Sequence, residues 1–150
     1  MTLHSHAFAP DAAIPVRFTA DGEDVSPPLD WADAPSSTIS FAILAVDPDA
    51  ASGDWVHWVI YNIPAAFHEL PAHVPPQAQP LPGVRQGVND FHRTGYGGPS
   101  PPRGLHHYVF TLYALDGELP LPAGASKRQL IAAMDGHIIA ECRLTGTYQR

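Results

Sequence analysis

Two carboxylates and two imidazoles stand at the ends of apolar segments in this chain, a set that can hold a small anion or a metal ion. Asp47 and Asp49 flank Pro48 where the run Thr38–Val46 ends; His57 lies between Trp55 and Trp58 in the next segment, and His106 and Tyr108 open a third. A carboxylate beside an imidazole raises its pKa and fixes which ring nitrogen carries the proton, so the pair presents N–H donors, or a positive charge, to an anion. Pro48 locks its own φ and biases Asp47 toward extended geometry, which aims the first carboxylate. Gly97 and Gly98, in the stretch Gly95–Pro99, offer backbone N–H groups that approach a ligand closely. The same residues have a plainer reading. Asp-Pro-Asp is also an ordinary turn, and a strand histidine between tryptophans is also a core residue satisfied by a carbonyl.

Metal chemistry is the rival, since two carboxylates and two histidines can supply a facial ligand set. The spacing does not demand it: the sequence has no HExxH and no cysteine pair, and His4-x-His6 sits at a terminus expected to be mobile. No metal and no cofactor are expected. Ser100 lies in Gly-Gly-Pro-Ser-Pro-Pro, which is not a nucleophile elbow, and Pro101 forbids the helix that such an elbow feeds. His68, His73, His92 and His137 read as loop or surface residues, and Cys142 as a small buried hydrophobe instead of a reactive thiol.

The elements that position these groups follow from the apolar pattern. Thr38–Val46 is nearly all apolar and too short for a typical helix, so it reads as a strand buried on both faces. Trp55–Ile63 is the next strand, and a period of two puts Trp55, His57, Val59 and Tyr61 on one face with Val56, Trp58 and Ile60 on the other. Leu105–Leu115 is the third, with His106, Tyr108, Phe110 and Leu112 sharing a face and His107 opposite. Residues 7–35 read as short extended edge pieces between turns. The long proline-rich connection over 64–104 reads as a functional loop or a surface wrap. Ser126 and Gln129 have capping-box spacing ahead of a short helix to about Met134, closed by Gly136, and His137–Tyr148 alternates as a half-exposed strand. The whole is mainly β with one or two short helices.

Composition narrows the function. At 150 residues the chain fits one domain with one core, over residues 1–150. A net charge of −7, with Lys127 as the single lysine, argues against nucleic acid, which needs clustered basic residues. No apolar run approaches the ~20 residues that cross a bilayer. The lone cysteine and the absence of a signal-peptide pattern at the N-terminus imply a cytoplasmic protein.

Five segments, in order, resemble the phosphatidylethanolamine-binding protein family in its bacterial Raf-kinase-inhibitor-like branch. They are Asp24-Val25-Ser26-Pro27-Pro28-Leu29 with Trp31; Asp47-Pro48-Asp49-Ala50; Trp55-Val56-His57-Trp58 through Asn62-Ile63-Pro64; Gly87-Val88-Asn89-Asp90-Phe91 through Gly95–Pro99 to His106 and Tyr108; and Gly136-His137-Ile138 to Gly146-Thr147-Tyr148. The resemblance implies a large central, mostly antiparallel sheet, a smaller second sheet and short peripheral helices. It also implies a pocket for phosphate, acetate or a phosphoethanolamine head group, built from Asp47, Asp49, Trp55, His57, His106 and Tyr108 with Pro99, Pro101 and Pro102 in its wall loop, beside the Gly98 amide named above. Where the family usually reads His-Arg-Tyr, this chain has His106-His107-Tyr108, and the C-terminal helix of the animal members has no counterpart after Tyr148.

The favoured function is a non-catalytic binding protein for a small anionic or phosphorylated group, with a kinase or protease as the expected class of protein partner. The proline-rich 71–82 segment would supply the rigid loop of an inhibitor. A hydrolase acting on a small phosphorylated or ester substrate through the same His/Asp cluster is the alternative, and it needs a nucleophile or metal-bound water next to the histidines. The family's bacterial members imply a homodimer; nothing in this sequence fixes the oligomeric state.

Overall fold

A computed structural model describes residues 1–150, and its elements follow the apolar runs. Eight strands and one helix are arranged as β1 (Thr2–His4), β2 (Leu29–Ala32), β3 (Ser40–Asp47), β4 (Trp55–Pro64), β5 (Glu69–Leu70), β6 (Arg85–Gln86), β7 (Leu105–Leu115), α1 (Lys127–Met134) and β8 (Ile138–Gln149). A five-stranded sheet in the order β6-β4-β3-β7-β8 is antiparallel throughout, and a three-stranded sheet, β1-β2-β5, forms beside it. No helix is long and apolar enough to cross a membrane.

β3 lies at the centre of the large sheet because its interior, Phe41–Val46, is wholly apolar. Phe41, Ile43 and Ala45 face the larger hydrophobic cluster, with Trp31, Trp58 and Phe110, while Ala42 and Leu44 face a second cluster closed by Leu130 and Met134 of α1. The helix begins where expected. Ser126 Oγ accepts from the Gln129 amide and the Gln129 side chain accepts from the Ser126 amide, a complete capping box, and Gly136 takes the positive φ that ends the segment.

Strict alternation fails in β4, and the failure matters. Val46 pairs with Val56 and Ala45 with Trp58, so His57 is an extra residue with no partner on β3. Such a β-bulge turns two successive side chains toward one side of a sheet. Trp58 therefore joins Ile60 on the larger-cluster side, the side to which His57 also turns, while Val59 and Tyr61 lie on the other. The expectation that Val59 and Tyr61 share a face with His57 is thus corrected. A second irregularity, between Ile60 and Ile63, coincides with the positive φ of Asn62, whose side chain donates to the Leu119 carbonyl and accepts from the Leu119 amide.

Two further expectations change. The N-terminus is not loose: Thr2–His4 pairs with Asp30–Ala32, and Leu3 is buried. Within 7–35 only Leu29–Ala32 is a strand, and Val16–Phe18 is a single 3-10 turn. The long 64–104 connection contributes the short strands β5 and β6 and then runs back along β4, where the amides of Gly87, Asp90 and Gly97 donate to the carbonyls of Val59, Val56 and His57. Gly87 permits this approach. A Cβ there would collide with the Ala125 carbonyl oxygen and the Val59 side chain. Gly87→Ala is expected to destabilise the protein by ~1–3 kcal/mol through overpacking against backbone, read as a lowered urea midpoint.

Candidate functional site

Antiparallel pairing of β3 with both β4 and β7 brings the end of β3 and the beginnings of its neighbours to one edge of the sheet. Asp47 pairs with Trp55, and Val46 with Val109. A cavity of about 180 Å³ opens there, lined by Asp47, Ala50, Ala51, Trp55, His57, Phe91, Ser100, Pro101, Pro102 and His106. The set contains no lysine or arginine, so its cationic charge can come only from an imidazole.

Asp47 is the pivot. Its carboxylate is buried; one oxygen accepts from the Asp49 amide at 2.7 Å and the other from His106 Nδ1 at 2.6 Å. The first bond is the side-chain-to-backbone closure that aspartate makes in a turn, so the Asp-Pro-Asp turn and the histidine are held by one group. His106 thereby carries its proton on Nδ1, which leaves Nε2 as the ring nitrogen without a protein partner.

His57 reaches the same state by another route. It is only 3% exposed, and its Nδ1 lies 2.6 Å from the Gly97 carbonyl, which can only accept, so Nδ1 again carries the hydrogen. Burial holds its pKa below the ordinary 6.5; the Gly97 bond and the charge of Asp47 work the other way without overcoming it. Its ring packs edge-on against Tyr108 at 5.1 Å and Phe91 at 5.3 Å. The plain reading of this residue, a histidine satisfied by a carbonyl, therefore describes one ring nitrogen and leaves Nε2 without a protein bond.

Tyr108 sits beneath His57, 2% exposed, and its hydroxyl has no hydrogen-bond partner in the protein. Burial, reinforced by the charge of Asp47, pushes the phenol far above its usual range, so it stays a neutral donor. It is a buried hydroxyl left without a partner beside His57.

Not every expected residue converges. Asp49 turns to the opposite face, where its carboxylate accepts from His107 Nδ1 at 2.6 Å and from the His107 amide at 2.8 Å. Those two bonds hold the Asp49 carboxyl below the usual range. The reason is parity: His106 and His107 point to opposite sides of β7, and the turn supplies one carboxylate to each. The amides of Gly97 and Gly98 are also committed, to the His57 carbonyl and to Asp24 Oδ1, and the Pro99 carbonyl accepts from Ala20. They form the back of the wall, and Pro101 and Pro102 form its inner surface.

Phe91, Ala50 and Ala51 line the cavity without having been named as site residues from the sequence, and Ser100, weighed there only as a nucleophile, joins them. Phe91 is placed by Asn89, a buried side chain that accepts from the amides of Phe91 and Arg93 and donates to the Gly95 carbonyl. An asparagine two residues before an aromatic in a glycine-rich loop is the signal that would have found it. The wall is pinned from outside by Arg150, which donates to the Pro101 carbonyl at 3.1 Å and forks onto Asp21, to which the Tyr148 hydroxyl also donates.

The family model described as phosphatidylethanolamine-binding protein matches residues 4–149. This chain belongs to that family. It is 47% identical to a UPF0098 protein of Methanothermobacter thermautotrophicus over its whole length and 99% of that relative, and 43% identical to one of Aquifex aeolicus, covering 89% of it. Among solved structures, the family homolog CT736 from Chlamydia trachomatis superposes with a TM-score of 0.91 at 37% identity, covering 99% of this chain and 97% of that one. Escherichia coli YbcL, described as a new member of the mammalian family, gives 0.92 at 31% identity over 99% and 98%. The two antiparallel sheets and single helix are therefore the family's fold.

Proposed function

We propose that the cavity binds a small oxyanion, free phosphate or the phosphate of a head group, and that the protein is a binding module and not a catalyst. The observation that carries this reading is the matched state of the two histidines. Each spends Nδ1–H on a fixed acceptor, so protonation of either ring converts Nε2 from acceptor to donor on the cavity side. They supply two cationic donors in a site with no permanent positive charge, with the unpaired Tyr108 hydroxyl buried behind His57 and outside the lining. A charge-assisted hydrogen bond is worth roughly 1.5–3 kcal/mol. Recognition of a phosphorylated segment of a kinase, or of a protease, would use the same two imidazoles.

Hydrolysis lacks comparable support. Ser100 is the hydroxyl in the lining, and its Oγ faces Arg150 Nη1 at 3.4 Å instead of an imidazole.

Binding is expected to tighten as pH falls, because the anion favours an imidazolium ring at His57, where burial disfavours the proton while no anion is bound. Calorimetric titration with phosphate and with sulfate, which stays dianionic through the same range, separates protein from ligand protonation. Unchanged affinity for sulfate between about pH 7.5 and 5.5 would sink the reading. Stability carries the opposite sign. Below 6.5 the unfolded chain takes a proton that the buried His57 refuses, so stability is present above that pH and is lost as pH falls toward the folded value. The urea midpoint should drop over this window in wild type, less in His57→Phe, and less in wild type with saturating sulfate.

A further inference from the structure

The face of the large sheet turned away from His57 carries a second cavity, of about 290 Å³. The registers of β3 with β7 and of β7 with β8 set Leu44, Thr111 and Arg143 in one row across three strands, and Val46, Val109 and Thr145 in the next. α1 covers only part of this face. Leu44 packs into the cluster that the helix closes, whereas Val46 and Val109 belong to neither hydrophobic cluster and stay half-buried, an open apolar floor. Two cations flank that floor. Lys127, in the first turn of α1, lies 3.4 Å from Asp54, while Arg143 is exposed on β8 and has no ion-pair partner in the chain. Thr111, only 7% exposed, adds a hydroxyl between Leu44 and Arg143. Asp54 is the one carboxylate in the lining and Lys127 offsets it, so the charge left over is that of Arg143. Glu141 shares the face but lies opposite Tyr113, outside the lining.

We propose that this cavity is a second binding site, for a small carboxylate with an unbranched apolar body, its head on Arg143 and its tail along Val109 and Val46. A small-molecule site is a mostly apolar surface with a few convergent polar groups, and this floor with its cations has that character. The head follows from the guanidinium. Its planar fork matches a carboxylate with two parallel N–H donors, and the Thr111 hydroxyl in the same row can donate a third hydrogen bond. An inorganic anion would leave the valines wet, and a bare hydrocarbon would leave Arg143 unmet. The tail follows from the strand spacing. Neighbouring strands lie about 4.8 Å apart, so β8 to β3 spans about 10 Å, the extended length of a chain of about eight carbons. The site differs in kind from the cavity of His57 and His106, because its positive charges are permanent and its floor is aliphatic.

The test is an NMR titration of the nitrogen-15-labelled chain with octanoate. The amides of Val109, Thr111 and Arg143 should move and saturate, and those of His57 and Gly97 should stay in place. Octanol keeps the tail without the charge and acetate keeps the charge without the tail; each should bind this face at least tenfold more weakly than octanoate. Arg143→Gln, at an exposed position that the fold does not depend on, should weaken octanoate at least tenfold, the loss expected for a charge-assisted pair of hydrogen bonds. Lys127→Gln should weaken it less, because Lys127 already serves Asp54. Shifts centred on His57 and Gly97 would assign octanoate to the first cavity and overturn the proposal, as would the absence of any saturable shift up to the solubility of octanoate. It also falls if Arg143→Gln binds octanoate as wild type does, or if octanol or acetate binds as tightly as octanoate.

Discussion

Replacing His106 with alanine should weaken sulfate binding by at least tenfold, and the loss should be greatest at acid pH. The variant removes one of the two cationic donors, a difference of roughly 1.5–3 kcal/mol or a factor of about ten to a hundred. It also leaves the buried Asp47 carboxylate with the Asp49 amide as its sole partner, which costs folding stability as well. The companion His106→Asn separates the two effects. Its amide can still donate to Asp47 and keep the turn, but it has no proton to gain. It should recover most of the stability and none of the pH dependence. Calorimetry together with urea denaturation of both variants reads each quantity. An asparagine variant that binds as wild type at low pH would mean that His106 is a support for the turn and nothing more.

Trp58 should be the costliest side chain to lose. It is fully buried, packs edge-on against Tyr96 and donates Nε1–H to Gln86 Oε1 at 2.7 Å. Gln86 uses its amide nitrogen on the carbonyls of Pro75 and Gln77, so the tryptophan anchors the proline-rich connection to the sheet. Trp58→Ala is expected to cost ~3–5 kcal/mol, a large share of the stability of an ordinary domain. Trp58→Phe keeps much of the apolar contact and strands the Gln86 oxygen, for ~1–3 kcal/mol. Equal urea midpoints for the two variants would show that the hydrogen bond, and not the ring volume, carries the contribution.

The parts of this fold that could be read from the sequence are those in which each residue's local preference agrees with its surroundings. Phe41–Val46 has no polar residue to place, and Ser126 and Gln129 satisfy each other without help from any other element. The β4 bulge could not be read, because a period of two cannot register an inserted residue; only the partner strand reveals that His57 is supernumerary. β1 is three residues long and owes its conformation to β2 and to the burial of Leu3, neither visible locally. In the site, the histidines and Asp47 were legible as types and spacings. The direction of Asp49 was not, because it depends on which side of β7 each successive histidine presents, and the role of Phe91 depends on how the Asn89 loop folds back along β4.

The bulge has one more implication, for how the domain could be taken apart. The pairings on either side of His57 are those of an uninterrupted ladder, Val46 with Val56 and Ala45 with Trp58. Excising that single residue would leave every other partner on β3 where it is and make the strand regular from Trp55 to Ile60, the irregularity at Asn62 remaining. The imidazole is thus a guest of the scaffold, and the framework and its candidate site are separable at one peptide unit.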